Sequence, residues 1–166
     1  MAELAPRERL QPSLLDRLTD HQPEAQVESR DRRVLSLRTL RDSVLRDLAW
    51  LLNATNLLST TDTAPLPYLA GSVLNYGMPD MSGVSVAGLD LAELERGIRQ
   101  AIWDFEPRLI RATVSVRAVP AESDRNRITF VIEGDLWAQP YPERLYLKTE
   151  LDIDRAVLRL REGAGA

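Results

Sequence analysis

The sequence predicts an α+β domain: an antiparallel β-meander of three or more strands with two main helices packed on one face, preceded by an N-terminal arm. Three observations carry this. Apolar residues recur at helical spacing in two segments, 37–53 and 91–105. Apolar and polar residues alternate in three later segments, 112–119, 127–137 and 143–153. The links between those three, 120–126 and 138–142, are short and turn-rich, which favours antiparallel neighbours. Helices first and strands later give the α+β class, and 166 residues suit one such domain with extra length at its ends.

Residues 1–33 read as arm and linker, and residues 34–166 as the α+β domain. Pro6, Pro12 and Pro23 punctuate the arm. Within it, Leu14, Leu15 and Leu18 can share one helical face. The polar stretch 20–33 separates them from the domain. A short apolar peptide on a polar tether either folds back on its own domain or docks on a partner.

The first main helix spans about 37–53. Leu37, Leu40, Val44, Leu48, Leu51 and Leu52 form one apolar stripe. Ser36 is placed as N-cap. Arg38, Arg41, Asp42, Arg46 and Asp47 fall on the wet side, with Asp42 and Arg46 spaced for an i,i+4 pair. Residues 57–88 then form a long connection rich in Thr, Ser, Pro and Gly, with a turn at Tyr76-Gly-Met-Pro79. Connections of that length usually have a task.

The second main helix opens on an Asp90-x-x-Glu93 capping box, with Leu89 and Leu94 at the flanking staple positions. Leu91, Leu94, Ile98, Ile102 and Phe105 supply its stripe. Pro107 disfavours helical geometry at Glu106, so the helix ends near Phe105. In the strands, Val114, Val116 and Ala118 share a face, as do Ile128, Phe130 and Ile132, and Leu145, Leu147, Thr149 and Leu151. Thr129, Val131 and Glu133 take the other face, and Gly134 marks a bulge or bend. Residues 154–161 either extend the last strand or form a tail.

Charge and composition exclude several functions. The net charge of −4 and pI near 5.1 argue against nucleic acid as a partner. Without cysteine there is no disulfide, thiolate metal site or thiol nucleophile. His21 is the single histidine and lies in the linker, which removes histidine-based triads. Carboxylates show no metal-loop spacing, and the glycines are too far apart for a phosphate loop. The N-terminus has the wrong pattern for a signal peptide, and no run approaches the ~20 apolar residues of a membrane helix. The expectation is a soluble cytoplasmic chain without direct membrane insertion, catalytic residues, metal site or cofactor. One carboxylate pair, Asp104 and Glu106, invites comparison with glycoside cleavage. Nothing in the flanks predicts a sugar cleft, and the acid of such a pair also needs a burying environment that raises its pKa.

The most distinctive local feature is Glu106-Pro107-Arg108. Pro107 restrains both its own backbone and that of Glu106. The rigid pair either meets charged residues of another chain through a two-pronged contact or forms an exposed local ion pair worth ~0–1 kcal/mol.

Four segments in order resemble the TssE family, the baseplate wedge subunits of type VI secretion related to the "lysozyme-like" wedge protein of contractile phage tails. They are Ser13-Leu-Leu-Asp-Arg-Leu18, Leu40-Arg-Asp-Ser-Val-Leu-Arg-Asp-Leu-Ala-Trp-Leu-Leu-Asn53, Ser72-Val-Leu-Asn-Tyr-Gly-Met-Pro-Asp80 and Phe105-Glu-Pro-Arg-Leu109. The resemblance implies a structural role in the cytoplasmic baseplate at the inner membrane. It implies binding to TssF, TssG and TssK, and a platform on which the TssB/TssC sheath begins. It assigns partner binding to Glu106, Pro107 and Arg108. The readings set against it are a regulatory binding module of anti-adaptor type and a peptidoglycan hydrolase.

Overall fold

A computed structural model of the chain describes residues 13–19, 23–24, 37–59, 61, 68–80, 90–119, 127–138, 142–152, 155 and 157–163. Three helices are described, α1 (Leu14–Leu18), α2 (Leu37–Asn53) and α3 (Leu91–Phe105). Four strands follow, β1 (Ser115–Val119), β2 (Arg127–Leu136), β3 (Glu143–Asp152) and β4 (Val157–Glu162). They form one antiparallel sheet in the order β1-β2-β3-β4. The expected α+β meander is therefore present, and the segment after β3 turns back as a fourth strand.

The two main helices cover one face of the sheet. Leu40, Val44, Leu48, Leu51 and Leu52 of α2 and Leu94, Ile98 and Ile102 of α3 join Val116, Ile128, Phe130, Ile132, Leu145, Leu147, Leu151 and Leu158 in one core. The alternation in the strands thus has its expected cause: every second side chain faces the helices. Leu37, the first residue of α2, departs from the predicted stripe and is exposed. Val131 faces away from the core yet is buried. The register sets it between Arg117 and Lys148, whose alkyl stems can screen an apolar neighbour.

Local signals fix the helix ends. Asp90 caps α3 by accepting from the N–H groups of Ala92 and Glu93 at 2.9 and 3.2 Å. The α3 chain stops at Phe105, one residue before Glu106 and two before Pro107. Ser36 and Leu89, expected as cap and staple residues, lie outside the described residues, as does most of the linker.

Further sequence expectations change. The first strand was expected from 112, but Arg111–Thr113 form a 3-10 turn and β1 opens at Ser115. The predicted Asp42–Arg46 pair gives way to other partners: Arg46 reaches Asp16 at 2.6 Å and Asp47 at 2.8 Å. A carboxylate brought by another element is better placed than one a helical turn away. Gly134 makes no bulge, since the β2–β3 register runs through it to Leu145. Its lack of a side chain serves packing: a Cβ there would lie 3.4 Å from both Leu109 and Val114.

The long connection is tied to the end of α2. Thr55 and Met78 bridge in parallel, with Met78 N–H on Ala54 O at 2.7 Å and Asn56 N–H on Met78 O at 2.8 Å. Gly77 makes this crossing possible. It has φ +121°, and any Cβ would collide with the Ala54 carbonyl oxygen. Buried Asn75 holds the loop from within, accepting from Leu58 N–H and donating to Ala70 O. Among the described residues, no helix is long and apolar enough to cross a membrane.

Candidate functional site

The Glu106-Pro107-Arg108 corner is where the sequence placed partner binding. The structure puts Glu106 at the C-cap of α3 with only 3% of its surface exposed. Its carboxylate is held by Arg108. The guanidinium donates from Nε to Oε1 at 2.7 Å and from Nη2 to Oε2 at 2.5 Å, and the Arg108 main-chain N–H adds a third bond at 3.1 Å. Pro107 stands between them, exposed. The Leu109 N–H donates to the Glu106 carbonyl oxygen at 3.2 Å and closes a turn over residues 107 and 108, which brings the side chains of Glu106 and Arg108 together.

The guanidinium does not stop there. Its Nη2 also donates to Asp47 Oδ2 at 2.6 Å and its Nη1 to Ser43 Oγ at 3.2 Å. Ser43 and Asp47 sit one turn apart on α2, so the corner is bolted to the other main helix. The reading of an exposed local ion pair is thereby corrected: the pair is local, but Glu106 is buried, Arg108 is half-buried, and Arg108 extends to a second element. Burial opposes the Arg108 charge. The hydrogen bonds and charges of Glu106 and Asp47 outweigh that and raise its pKa above the ordinary arginine value.

Asp47 extends the row. Its Oδ1 receives Arg46 at 2.8 Å, and Arg46 in turn reaches Asp16 of α1 at 2.6 Å. Asp16, Arg46, Asp47, Arg108 and Glu106 therefore alternate in charge from the arm to the corner. Burial would push the Asp16 carboxyl up. Hydrogen bonds from Arg46 and Ser13, with the Arg46 charge, overcome this and leave it below its usual value. Within the arm, α1 thus meets α2 through Asp16. Leu14, Leu15 and Leu18 stay exposed.

Next to the corner is a groove of about 440 Å³, lined by Ser13, Asp47, Leu51, Tyr76, Phe105, Glu106, Pro107 and Arg108. Tyr76 and Phe105 meet edge to face with centroids 5.3 Å apart. Burial, and then the negative charges of Asp47 and Glu106, push the Tyr76 hydroxyl up. All four segments quoted from the sequence contribute a wall. Sequence reasoning missed Ser43, Asp47 and Tyr76 as members of the site. A serine inside the apolar stripe of α2 was the available signal for Ser43.

The carboxylates compared with a glycosidase pair are committed elsewhere. Asp104 is exposed and receives the Gln100 amide at 2.9 Å, while both Glu106 oxygens are taken by Arg108.

Comparison with known proteins adds one finding. The family model for baseplate wedge protein gp25 matches residues 38–141. That range runs from α2 through β2 and includes the corner, while α1, β3 and β4 lie outside it. Neither curated proteins nor solved structures gave a match. With well over half of its length matched, the chain belongs to the baseplate wedge protein gp25 family, a family of structural subunits of phage-type baseplates.

Proposed function

We propose that this chain is the TssE-type wedge subunit of a type VI secretion baseplate, which works by contact and catalyses no reaction. In this reading it assembles in the cytoplasm at the inner membrane. It binds TssF, TssG and TssK through the groove beside Glu106, Pro107 and Arg108, and its sheet serves as the platform for TssB/TssC sheath assembly. The supporting observation is convergence. Residues from the arm, α2, the middle connection and the corner, far apart in sequence, line one groove. Exposed large apolar side chains adjoin the lining residues in sequence: Leu14 and Leu15 beside Ser13, Trp50 beside Leu51, and Val73 and Leu74 before Tyr76. Exposed apolar side chains on the same elements that line the groove favour a protein partner. The Glu106–Arg108 pair gives that surface a fixed charge pattern, which supplies specificity and register.

The test is co-purification with TssF and TssG. Glu106 is built into the fold, so the variant must leave it alone. Pro107→Trp puts a bulky ring at the mouth of the groove from an exposed position. The expected result is an unchanged circular dichroism spectrum and loss of most TssF/TssG recovery. Full recovery with the ring in place would count against the groove as the docking site.

A further inference from the structure

Two tryptophans carry arginine on the ring, and the two stacks are finished differently. On α2, Arg46 lies over Trp50 at 5.2 Å from the ring centroid. Its guanidinium is also held by Asp16 at 2.6 Å and Asp47 at 2.8 Å, so its charge is answered within the chain. On α3, Trp103 carries two arginines, Arg99 at 5.4 Å and Arg111 at 4.8 Å. Among the described residues, no carboxylate pairs with either guanidinium.

The helix has carboxylates it could have used. Glu95 stands four residues before Arg99, the spacing of an ordinary helical ion pair. Its Oε1 instead accepts the Ala118 N–H of β1 at 2.6 Å. Asp104 follows Trp103 directly, and both its oxygens take the Gln100 amide at 2.9 Å. The acidic groups nearest in sequence are thus engaged with other partners. Two like charges are gathered on one ring, and a counter-charge from outside would relieve their repulsion.

The ring itself is fixed. The Trp103 indole N–H donates to the Arg111 carbonyl oxygen at 3.0 Å. Arg111 opens the 3-10 turn Arg111–Thr113 that precedes β1, so the indole ties α3 to the approach to the sheet. Stacking engages the flat face of a guanidinium and leaves its in-plane N–H donors available. Held this way, the donors have less freedom to lose on binding. The surface is also separate from the groove. Phe105 lines the groove, and Trp103 precedes it by two residues. On a helix of about 3.6 residues per turn, that places the two on roughly opposite flanks.

We propose that Arg99, Trp103 and Arg111 form a second docking face, on the flank of α3 away from the groove, and that it takes an acidic segment of a neighbouring protein. Charge complementarity names the occupant, since two cations held on one ring call for two anions from another chain. A planar carboxylate fits the planar fork of each guanidinium through two parallel bonds. Tryptophan and arginine are also the residue types enriched among the side chains that carry most binding energy at protein interfaces. Nucleic acid is the poorer fit. It needs a run of positive charge, and this chain has a net charge of −4. The inference does not depend on what occupies the groove.

The experiment is a titration of the full chain, followed by the tryptophan indole N–H resonances in NMR. The probes are a short polyglutamate peptide, a short polylysine peptide and inorganic phosphate. Polyglutamate is expected to move the Trp103 resonance and leave Trp50 in place, because the Arg46 stack is already filled. Polylysine and phosphate should leave both unmoved. Arg111 is exposed and Arg99 half-buried, so the double variant Arg99→Gln/Arg111→Gln should keep a folded free spectrum. It should weaken polyglutamate by about tenfold. Pro107→Trp, which fills the groove, should leave the Trp103 titration unchanged, so that failure of this face and failure of the groove reading are told apart. A response to phosphate as large as that to polyglutamate would make this a small-anion site and overturn the proposal. So would equal movement of Trp50, no movement at all, or unchanged binding by the double variant. A free-chain dimer that the double variant breaks would make a second copy the occupant, and would overturn it too.

Discussion

Glu106 and Glu133 are the same residue with the same partner type, and both have each carboxylate oxygen engaged by arginine. Glu106 takes one guanidinium, Arg108, through both oxygens at 2.7 and 2.5 Å. Glu133 takes two, Arg117 at 2.8 Å and Arg144 at 2.6 Å. Their settings differ. Glu106 is 3% exposed and its arginine side chain 22%, whereas the arginines of Glu133 are 69% and 63% exposed. Water competes for the second set and hardly reaches the first. Equal bond lengths therefore carry unequal weight, and the difference lies in how much a missing partner would leave dry and uncompensated.

That contrast gives the largest expected effect at the corner. Glu106→Ala strips Arg108 of its main partner while Asp47 answers only one edge of the fork. Loss of one member of a buried pair costs ~3–5 kcal/mol, and partial exposure of Arg108 places this variant near the lower end. Urea denaturation measures it. A loss below about 1 kcal/mol would erase the distinction between the two glutamates.

Asp16 is intermediate, since its carboxylate is partly covered and joins α1 to Arg46. Its pKa is depressed in the folded chain, so the contact is fully present above the ordinary aspartate value of about 3.9 and is lost as the pH falls through the lower, folded value. The Trp50 indole, stacked under Arg46 at 5.2 Å, reports on it by NMR. Its resonance should hold from neutral pH down to the ordinary carboxylate range and move only below it. Asp16→Asn should give the moved resonance at neutral pH, at a cost of about 1 kcal/mol or less.

Glu133→Gln is the smallest. Hydrogen bonding from Arg144 lowers the Glu133 pKa against a burial effect that raises it, and Arg117 adds to the lowering. Its stabilisation likewise fades only in acid. At neutral pH the substitution is expected to change the urea midpoint by the equivalent of ~0–1 kcal/mol, and added salt should shrink that further.

Much of this was legible in the sequence. The bounds of α2, the Asp90 cap, the stop before Pro107 and the faces of β1, β2 and β3 all follow from periodicity and local backbone chemistry. What escaped has physical reasons. The sequence between β3 and β4, residues 153–156, Ile-Asp-Arg-Ala, carries neither glycine nor proline to announce a reversal. Gly134 signalled a bend because packing and turning ask for the same residue. Glu106 and Arg108 were visible as a pair, but Asp47 lies 61 residues away from Arg108 and Ser43 lies 65. Contacts at that separation are set by how α2 and α3 cross on the sheet, which no local pattern encodes.

The row from Asp16 to Glu106 has an odd number of members. Three carry negative charge and two carry positive charge, so its sum is one electron's worth below zero. Water balances that surplus while the surface is bare. A neighbour that seals the surface takes the water away and must make up the difference with a cation of its own, so the arithmetic of this row selects among otherwise well-fitting neighbours.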